Sequence, residues 1–107
     1  MVVSRFDIVL IRLDPTVGHE IKKTRPCVII SPNEMNHSHF GMLLIAPLTS
    51  TIRRLPTRIL IHCEGREGEI ALEQMRAIDQ QRIVKKIASL DLEASQKLLS
   101  TLQILFS

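Results

Sequence analysis

The sequence is poor in aromatic residues and in cysteine. Its 107 residues include three Phe and neither Trp nor Tyr, so its core must be built from Ile, Leu and Val. The two cysteines, Cys27 and Cys63, lie far apart and form no CxxC pair, so a structural zinc site is not predicted. In a reducing compartment each is most simply a small buried hydrophobic residue.

Several motifs with known chemistry are also absent. The sequence has no GxGxxG, no GxxxxGK[ST] and no GxSxG, which excludes the common dinucleotide, P-loop and esterase sites. His37 and His39 form an HxH pair, but no acid or thiol follows at ligand spacing, so we expect neither metal nor cofactor. No apolar run approaches the roughly 20 residues of a membrane span, and the N-terminus lacks a signal-peptide pattern. A cytoplasmic protein is expected.

Basic residues are in excess, and the excess belongs to the body of the chain. The formal net charge is +3. Residues 1–90 hold thirteen Lys or Arg against nine acids, whereas the tail from Asp91 holds one Lys against two acids. A basic surface suits a polyanion, either nucleic acid or an acidic protein partner. For any single lysine, solvated surface charge is the simpler explanation.

Apolar residues at alternating positions predict a body of short strands. The predicted strands, which end near prolines or turn residues, are 6–13, 27–31, 42–48, 57–63, 69–78 and 83–90. The Ala, Leu, Glu, Gln and Met residues of 69–78 would also suit a helix. The sequence EGREG at 64–68 is typical of a hairpin turn. The polar segment 32–41 has room for one helical turn.

The pattern changes to helical spacing after Asp91, a residue type that favours the N-cap position. Leucines and a phenylalanine recur there on one face: Leu92, Leu98, Leu99, Leu102, Leu105 and Phe106. The sequence therefore predicts one domain, 1–107, that is mainly β with a C-terminal helix. Its strands would form a small, strongly curved sheet or barrel. The pattern does not distinguish a barrel from a sandwich.

Polar residues form three clusters on predicted connections. The clusters are His19, Glu20, Lys22, Lys23 and Arg25; Thr49, Ser50, Arg53, Arg54 and Arg58; and Glu73, Gln74, Arg76 and Arg82. Because the loops of a small barrel gather at its ends, the three clusters could share one face. Solvated surface charge is the alternative.

Three segments carry a resemblance to a known family. The segments, in chain order, are FDIVLIRLDPTVGHEIKKTRPCVIISPNEMN, APLTS and ALEQMRAIDQQRIVKKIASL. In their order and spacing they resemble the MazF/PemK family of toxin endoribonucleases. The resemblance implies a small SH3-like antiparallel β-barrel of the CcdB/MazF/PemK-like type, forming a homodimer. It also implies metal-independent cleavage of single-stranded RNA, often mRNA, leaving 2′,3′-cyclic phosphate and 5′-hydroxyl ends.

The resemblance assigns catalytic roles to three residues. Arg25 matches the family's catalytic arginine, and its planar fork suits a phosphate. Thr49 matches the catalytic threonine, although a strand-end cap is the simpler role for a threonine taken alone. Glu20 is the candidate general base. His19, also a candidate substrate contact, is the alternative base because its ordinary pKa lies near working pH.

Substrate and partner contacts follow from the same resemblance. Glu73 and Gln74 would read base edges, while Arg76 and Lys22 would hold phosphates. Ser50, next to Thr49, would contact the substrate. The family also implies an antitoxin whose flexible acidic segment lies across the basic RNA groove.

Two other functions remain open at this stage. Proteins like CcdB share the implied fold but poison DNA gyrase without cutting RNA, and the C-terminal sequence QILFS gives that function little support. A catalytically inactive RNA-binding barrel is the second alternative. Arg25 and Thr49 favour the nuclease over both.

Overall fold

The computed structural model of the chain describes residues 2–12 and 24–107. Within these residues the chain forms strands β1 (Asp7–Arg12), β2 (Thr24–Ile29), β3 (Met42–Thr49), β4 (Arg58–Cys63), β5 (Arg66–Ala71), β6 (Arg76–Asp79) and β7 (Ile83–Ser89). The helices are α1 (Asn33–Asn36), a single turn, and α2 (Leu92–Leu105), which follows the last strand. Short 3₁₀ turns cover Leu72–Gln74 and Gln80–Arg82.

Most of the predicted elements are confirmed, with shifted ends. The hairpin turn between β4 and β5 is formed by Glu64 and Gly65, whose φ angles of 52° and 75° suit a tight two-residue hairpin loop. β2 begins at Thr24 rather than Cys27, because Pro26 still takes a place in the ladder opposite Leu10.

The continuous strand predicted for 69–78 is wrong. The 3₁₀ turn at Leu72–Gln74 divides it into β5 and β6. The backbone N–H of Leu72 donates to Thr57 and that of Met75 donates to Leu72, so the ladder is interrupted there. This bend lets β5 pair with β4 while β6 returns to the beginning of β3.

The strands form one antiparallel path in which β3 has the most partners. The order is β4-β5-β3-β2-β1-β7, with β6 also paired to β3. Along one edge β3 pairs with β2, and along the other it pairs first with β6 and then with β5. The sheet curls into a half-barrel with the C-terminal helix, as the resemblance implied.

Both faces of the central strands are buried, which accounts for their nearly continuous apolar sequence. Ile8 and Val28 belong to a core cluster that also contains Leu98 of α2. Their neighbours Val9 and Cys27 belong to a second cluster. Because successive strand residues point to opposite faces, each strand contributes to both clusters.

The helix α2 begins where the sequence predicted. The Asp91 carboxylate accepts the backbone N–H of Ala94 at 2.8 Å, so Asp91 is the N-cap. Leu98 is fully buried, but Leu92 and Phe106 are 73% and 74% exposed because they lie at the two ends of the helix. In the described part of the chain, no helix is both long and apolar enough to cross a membrane.

Replacing Leu98 should test how far α2 supports the sheet. Leu98→Ala should lower the free energy of unfolding by about 2–5 kcal/mol, because it leaves a cavity in a buried site. The control Leu92→Ala, on the same helix, should change it by less than about 0.5 kcal/mol because that side chain is exposed. Urea denaturation measures both variants. Equal losses would contradict the described packing.

Candidate active site

A groove opens where β3 stops pairing with β2 along one edge and begins to pair with β5 along the other. The last β2–β3 pair is Cys27 with Pro47. The next residues of β3 pair across the other edge, Leu48 with Ile70 and Thr49 with Glu69. The parting of β2 from β3 leaves an open space of about 880 Å³.

The groove brings together Arg25, Thr49 and Ser50, three of the predicted site residues. Two further cations, Arg66 and Lys85, also line it. Glu64 and Glu67 line it as well, so the described residues of the groove supply three cations, two carboxylates and hydroxyl groups. Its cations and hydroxyl groups are suited to binding a phosphate ester.

The strand register explains why Arg25 and Thr49 lie opposite each other in the groove. Counting on two residues from the Cys27–Pro47 pair in an antiparallel ladder sets Arg25 opposite Thr49. The ladder has ended there, so a gap separates the two strands. Arg25 is exposed, and no side chain among residues 2–12 and 24–107 forms an ion pair with it.

Thr49 ends β3 and also lines the groove. Its Oγ1 accepts the backbone N–H of Thr51 at 3.1 Å. An accepted N–H occupies one lone pair and leaves the hydroxyl hydrogen available to donate. The local turn thus holds the Thr49 hydroxyl group in a residue that lines the groove.

The third polar cluster does not line the groove. Glu73 and Gln74 lie in the 3₁₀ turn after β5, and Arg76 begins β6. The Glu73 carboxylate accepts from Thr57 Oγ1 at 2.7 Å and lies 2.6 Å from the guanidinium of Arg58. Gln74 and Arg76 are exposed. The roles predicted for these residues in reading RNA bases and phosphates stay predictions.

His19, Glu20 and Lys22 lie outside the described residues. The predicted roles of Glu20 as general base, His19 as alternative base and substrate contact, and Lys22 as phosphate contact stay predictions.

Sequence reasoning missed the contribution of the β4–β5 hairpin to the groove. Arg66 and Glu67 follow its tight turn and reach the groove, as does Lys85 of β7. The sequence indicated the hairpin but not its position relative to Thr49. Sequence reasoning also missed that Glu69 is a buried acid. The apolar pair Ile70–Ala71 that follows it is the sequence signal that could have indicated its burial.

The thiols show no sign of nucleophilic activation. Burial raises the pKa of Cys27 to about 11, outweighing the opposing effect of Arg25. Burial, followed by the charge of Glu64, also raises the pKa of Cys63 at the groove. Both groups therefore favour the thiol over the reactive thiolate. Within the described ranges, no three His, Cys, Asp or Glu side chains are grouped as a metal site would require.

The ion pair between Arg58 and Glu73 should make stability depend on acidity. The hydrogen bond from Arg58 lowers the pKa of Glu73 from its ordinary 4.5 to about 2. Its stabilising effect is therefore present above about pH 4.5 and lost as the pH falls toward 2. The free energy of unfolding should decline more steeply over this interval for the wild type than for Glu73→Gln. Parallel curves from urea denaturation at each pH would contradict this.

Comparison with known proteins places the chain among toxins. The family model described as PemK-like, MazF-like toxin of type II toxin-antitoxin system matches residues 4–106. The chain is 36% identical over 110 residues to endoribonuclease EndoA of Bacillus subtilis, covering 97% of this chain and 94% of that protein. It is 33% identical over 107 residues to endoribonuclease toxin ChpB of Escherichia coli, covering 94% of this chain and 90% of ChpB.

Solved structures show the same fold at lower identity. A MazE–MazF crystal structure from Deinococcus radiodurans has a TM-score of 0.83 at 22% identity, covering 99% of this chain and 96% of that one. A mycobacterial endoribonuclease in complex with its cognate antitoxin has a TM-score of 0.81 at 17% identity, covering 97% and 94%. With the fold, the groove and the family match in agreement, the chain belongs to the PemK-like, MazF-like family of type II toxin–antitoxin toxins.

Proposed function

We propose that this toxin is a sequence-specific endoribonuclease that cleaves single-stranded RNA, including mRNA, without a metal. The observation that carries the proposal is the placement of Arg25 and Thr49 in one open groove. The names of its relatives at 36% and 33% identity, both endoribonucleases, support it.

The reaction needs little covalent chemistry from the protein. The ribose 2′-oxygen attacks the adjacent phosphorus, the bond from phosphorus to the 5′-oxygen breaks, and the products are a 2′,3′-cyclic phosphate and a 5′-hydroxyl. A base removes the 2′ proton, and an acid supplies a proton to the leaving oxygen. Because the nucleophile belongs to the substrate, no metal-bound water is required.

Arg25 stabilises the charge that gathers on the phosphoryl oxygens. Its guanidinium presents a planar pair of donors to two of them, which a lysine would not reproduce. Thr49 adds a hydroxyl donor, oriented by the hydrogen bond from Thr51. Glu20 is the proposed general base, with His19 as the alternative.

Substrate recognition would use the rest of the groove and the surface beyond it. Ser50 is exposed beside Thr49 and suits a contact to the sugar or phosphate. Arg76 and Lys22 are the proposed phosphate contacts outside the catalytic pair. Glu73 and Gln74 are the proposed base contacts, with Glu73 held in place by Arg58.

The proposed setting is cytoplasmic, with a homodimeric toxin inhibited by an acidic antitoxin segment. Two structural neighbours support an antitoxin partner: one is a MazE–MazF crystal structure and the other is an endoribonuclease in complex with its cognate antitoxin. A segment of negative charge would compete with RNA for Arg25, Arg66 and Lys85. A gyrase-poisoning function is not favoured, because the relatives at 36% and 33% identity are named for RNA cleavage.

Cleavage should persist in EDTA. Purified protein incubated with a long single-stranded RNA and excess EDTA should give discrete fragments with 5′-hydroxyl ends and 2′,3′-cyclic phosphates. Mapping of the 5′ ends measures both the products and the target sequence. Loss of cleavage in EDTA with recovery on adding Mg²⁺ would contradict the mechanism, whereas inhibition of gyrase without RNA cleavage would support the CcdB-like alternative.

Arg25→Ala and Thr49→Ala should each reduce the cleavage rate by about 10²–10³-fold, because each removes a donor to the phosphoryl group. The matched controls are Lys97→Ala, which removes a cation, and Thr101→Ala, which removes a hydroxyl, both on helix α2. These two variants should cleave RNA at the wild-type rate. Initial rates on one RNA substrate measure all four variants. Equal cleavage by the groove variants and the helix variants would remove the catalytic assignment.

A further inference from the structure

Glu69 is a buried carboxylate directly beside the proposed catalytic threonine. It is 2% exposed and pairs with Thr49 across the β3–β5 ladder. Burying a carboxylate is unfavourable unless hydrogen bonds and an opposite charge compensate. The hydrogen-bond and charge partners of Glu69 therefore indicate which part of the fold its buried carboxylate stabilises.

Those partners belong mainly to the loop that follows Thr49. One carboxylate oxygen accepts the backbone N–H of Arg53 at 2.9 Å, and the other accepts the backbone N–H of Arg54 at 3.1 Å. The Arg58 guanidinium lies 3.1 Å from the first oxygen and supplies the opposite charge. The hydrogen bond from Arg53, together with those from Arg54 and Arg58, lowers the pKa of Glu69 despite its burial.

The loop held in this way has an unfavourable backbone conformation. Arg54 has a φ of 55°, in the left-handed region that residues with side chains seldom adopt. Such a conformation persists only where its surroundings compensate. The two hydrogen bonds to Glu69 on successive amides provide that compensation.

The same strand restrains Thr49 directly. A Cβ placed on Gly68 would lie 3.0 Å from the carbonyl oxygen of Thr49, so the two backbones are in close approach. Further along the loop, the N–H of Thr51 binds Thr49 Oγ1. Glu69 thus anchors the loop at Arg53 and Arg54, two and three residues beyond the Thr51 amide that binds the hydroxyl of Thr49.

We infer that Glu69 is a positioning residue: its carboxylate holds the loop after Thr49 so that the Thr51 N–H fixes the Thr49 hydroxyl toward the groove. This inference deepens the proposed function and rests on it for its catalytic consequence. Its structural consequence, the order of the Thr51 amide, is independent of RNA cleavage.

Glu69→Gln tests the inference with little change in side-chain volume. Glutamine keeps one acceptor oxygen but sets an NH₂ group against one of the two loop amides. We expect hydrogen exchange at the Thr51 amide, followed by NMR, to accelerate at least about tenfold. We expect kcat to fall about 10–100-fold with KM changed less than about threefold, because the misplaced hydroxyl affects the reaction more than binding.

Asp7→Asn is the matched control. Asp7 is a second buried carboxylate, 5% exposed, that binds the Ser4 N–H, the Ser89 hydroxyl and Lys86. It joins β1 to β7 and does not line the groove. Its substitution should lower stability while leaving kcat and Thr51 exchange unchanged. If Glu69→Gln behaved in the same way, the inference would be overturned.

A double substitution separates positioning from general weakening. If Glu69 acts through the Thr49 hydroxyl, Glu69→Gln should change the single-turnover rate less than about threefold in a Thr49→Val background. A full, multiplicative loss there would overturn the inference. If the wild type does not cleave RNA, the proposed function fails, and Thr51 exchange alone decides whether Glu69 positions the loop.

Gly68→Ala provides a second route should Glu69→Gln fail to fold. The added methyl group would press on the Thr49 carbonyl and leave the buried charge untouched. Faster Thr51 exchange with a kcat reduced about fivefold or more would support control of Thr49 by β5. Wild-type values of both would overturn it.

Discussion

The change of partners along β3 is the constraint on which the groove depends. A strand in the interior of a sheet normally has neighbours on both edges along its length, but β3 is paired with β2 only as far as Pro47. Beyond that point its remaining ladder is the one to β5, at Leu48 and Thr49. Arg25 and Thr49 both line the groove that opens at this freed edge, so among the described residues the groove follows from where the β2–β3 ladder ends.

Charge is used differently inside the fold and at the groove. Arg58 is tied to two carboxylates and lies within the packed part of the molecule, where its contribution is to hold β4, β5 and the following turn. Arg25 is exposed and lines the groove. Two arginines that look alike in the sequence are therefore distinguished by their surroundings, since carboxylates hold Arg58 whereas Arg25 is exposed at the groove.

Local patterns predicted most of the elements because their causes are local. Asp91 caps α2 with its own side chain, and Glu64–Gly65 forms the hairpin turn by backbone conformation. The break between β5 and β6 was missed because Leu72–Gln74 looks like a strand continuation. Its turn is set by a hydrogen bond to Thr57, fifteen positions away in the chain.

The sequence by itself determined the mainly β class, the C-terminal helix and the family resemblance carried by Arg25 and Thr49. Only the tertiary structure decided which polar residues share the groove. It joined Arg66 and Lys85 to Arg25 and Thr49 in the groove, which Glu73 does not line. The physical reason is strand register: a pairing between distant segments decides which side chains meet, and buried Glu69 shows this most directly, because its loop partners cannot be inferred from its neighbours in sequence.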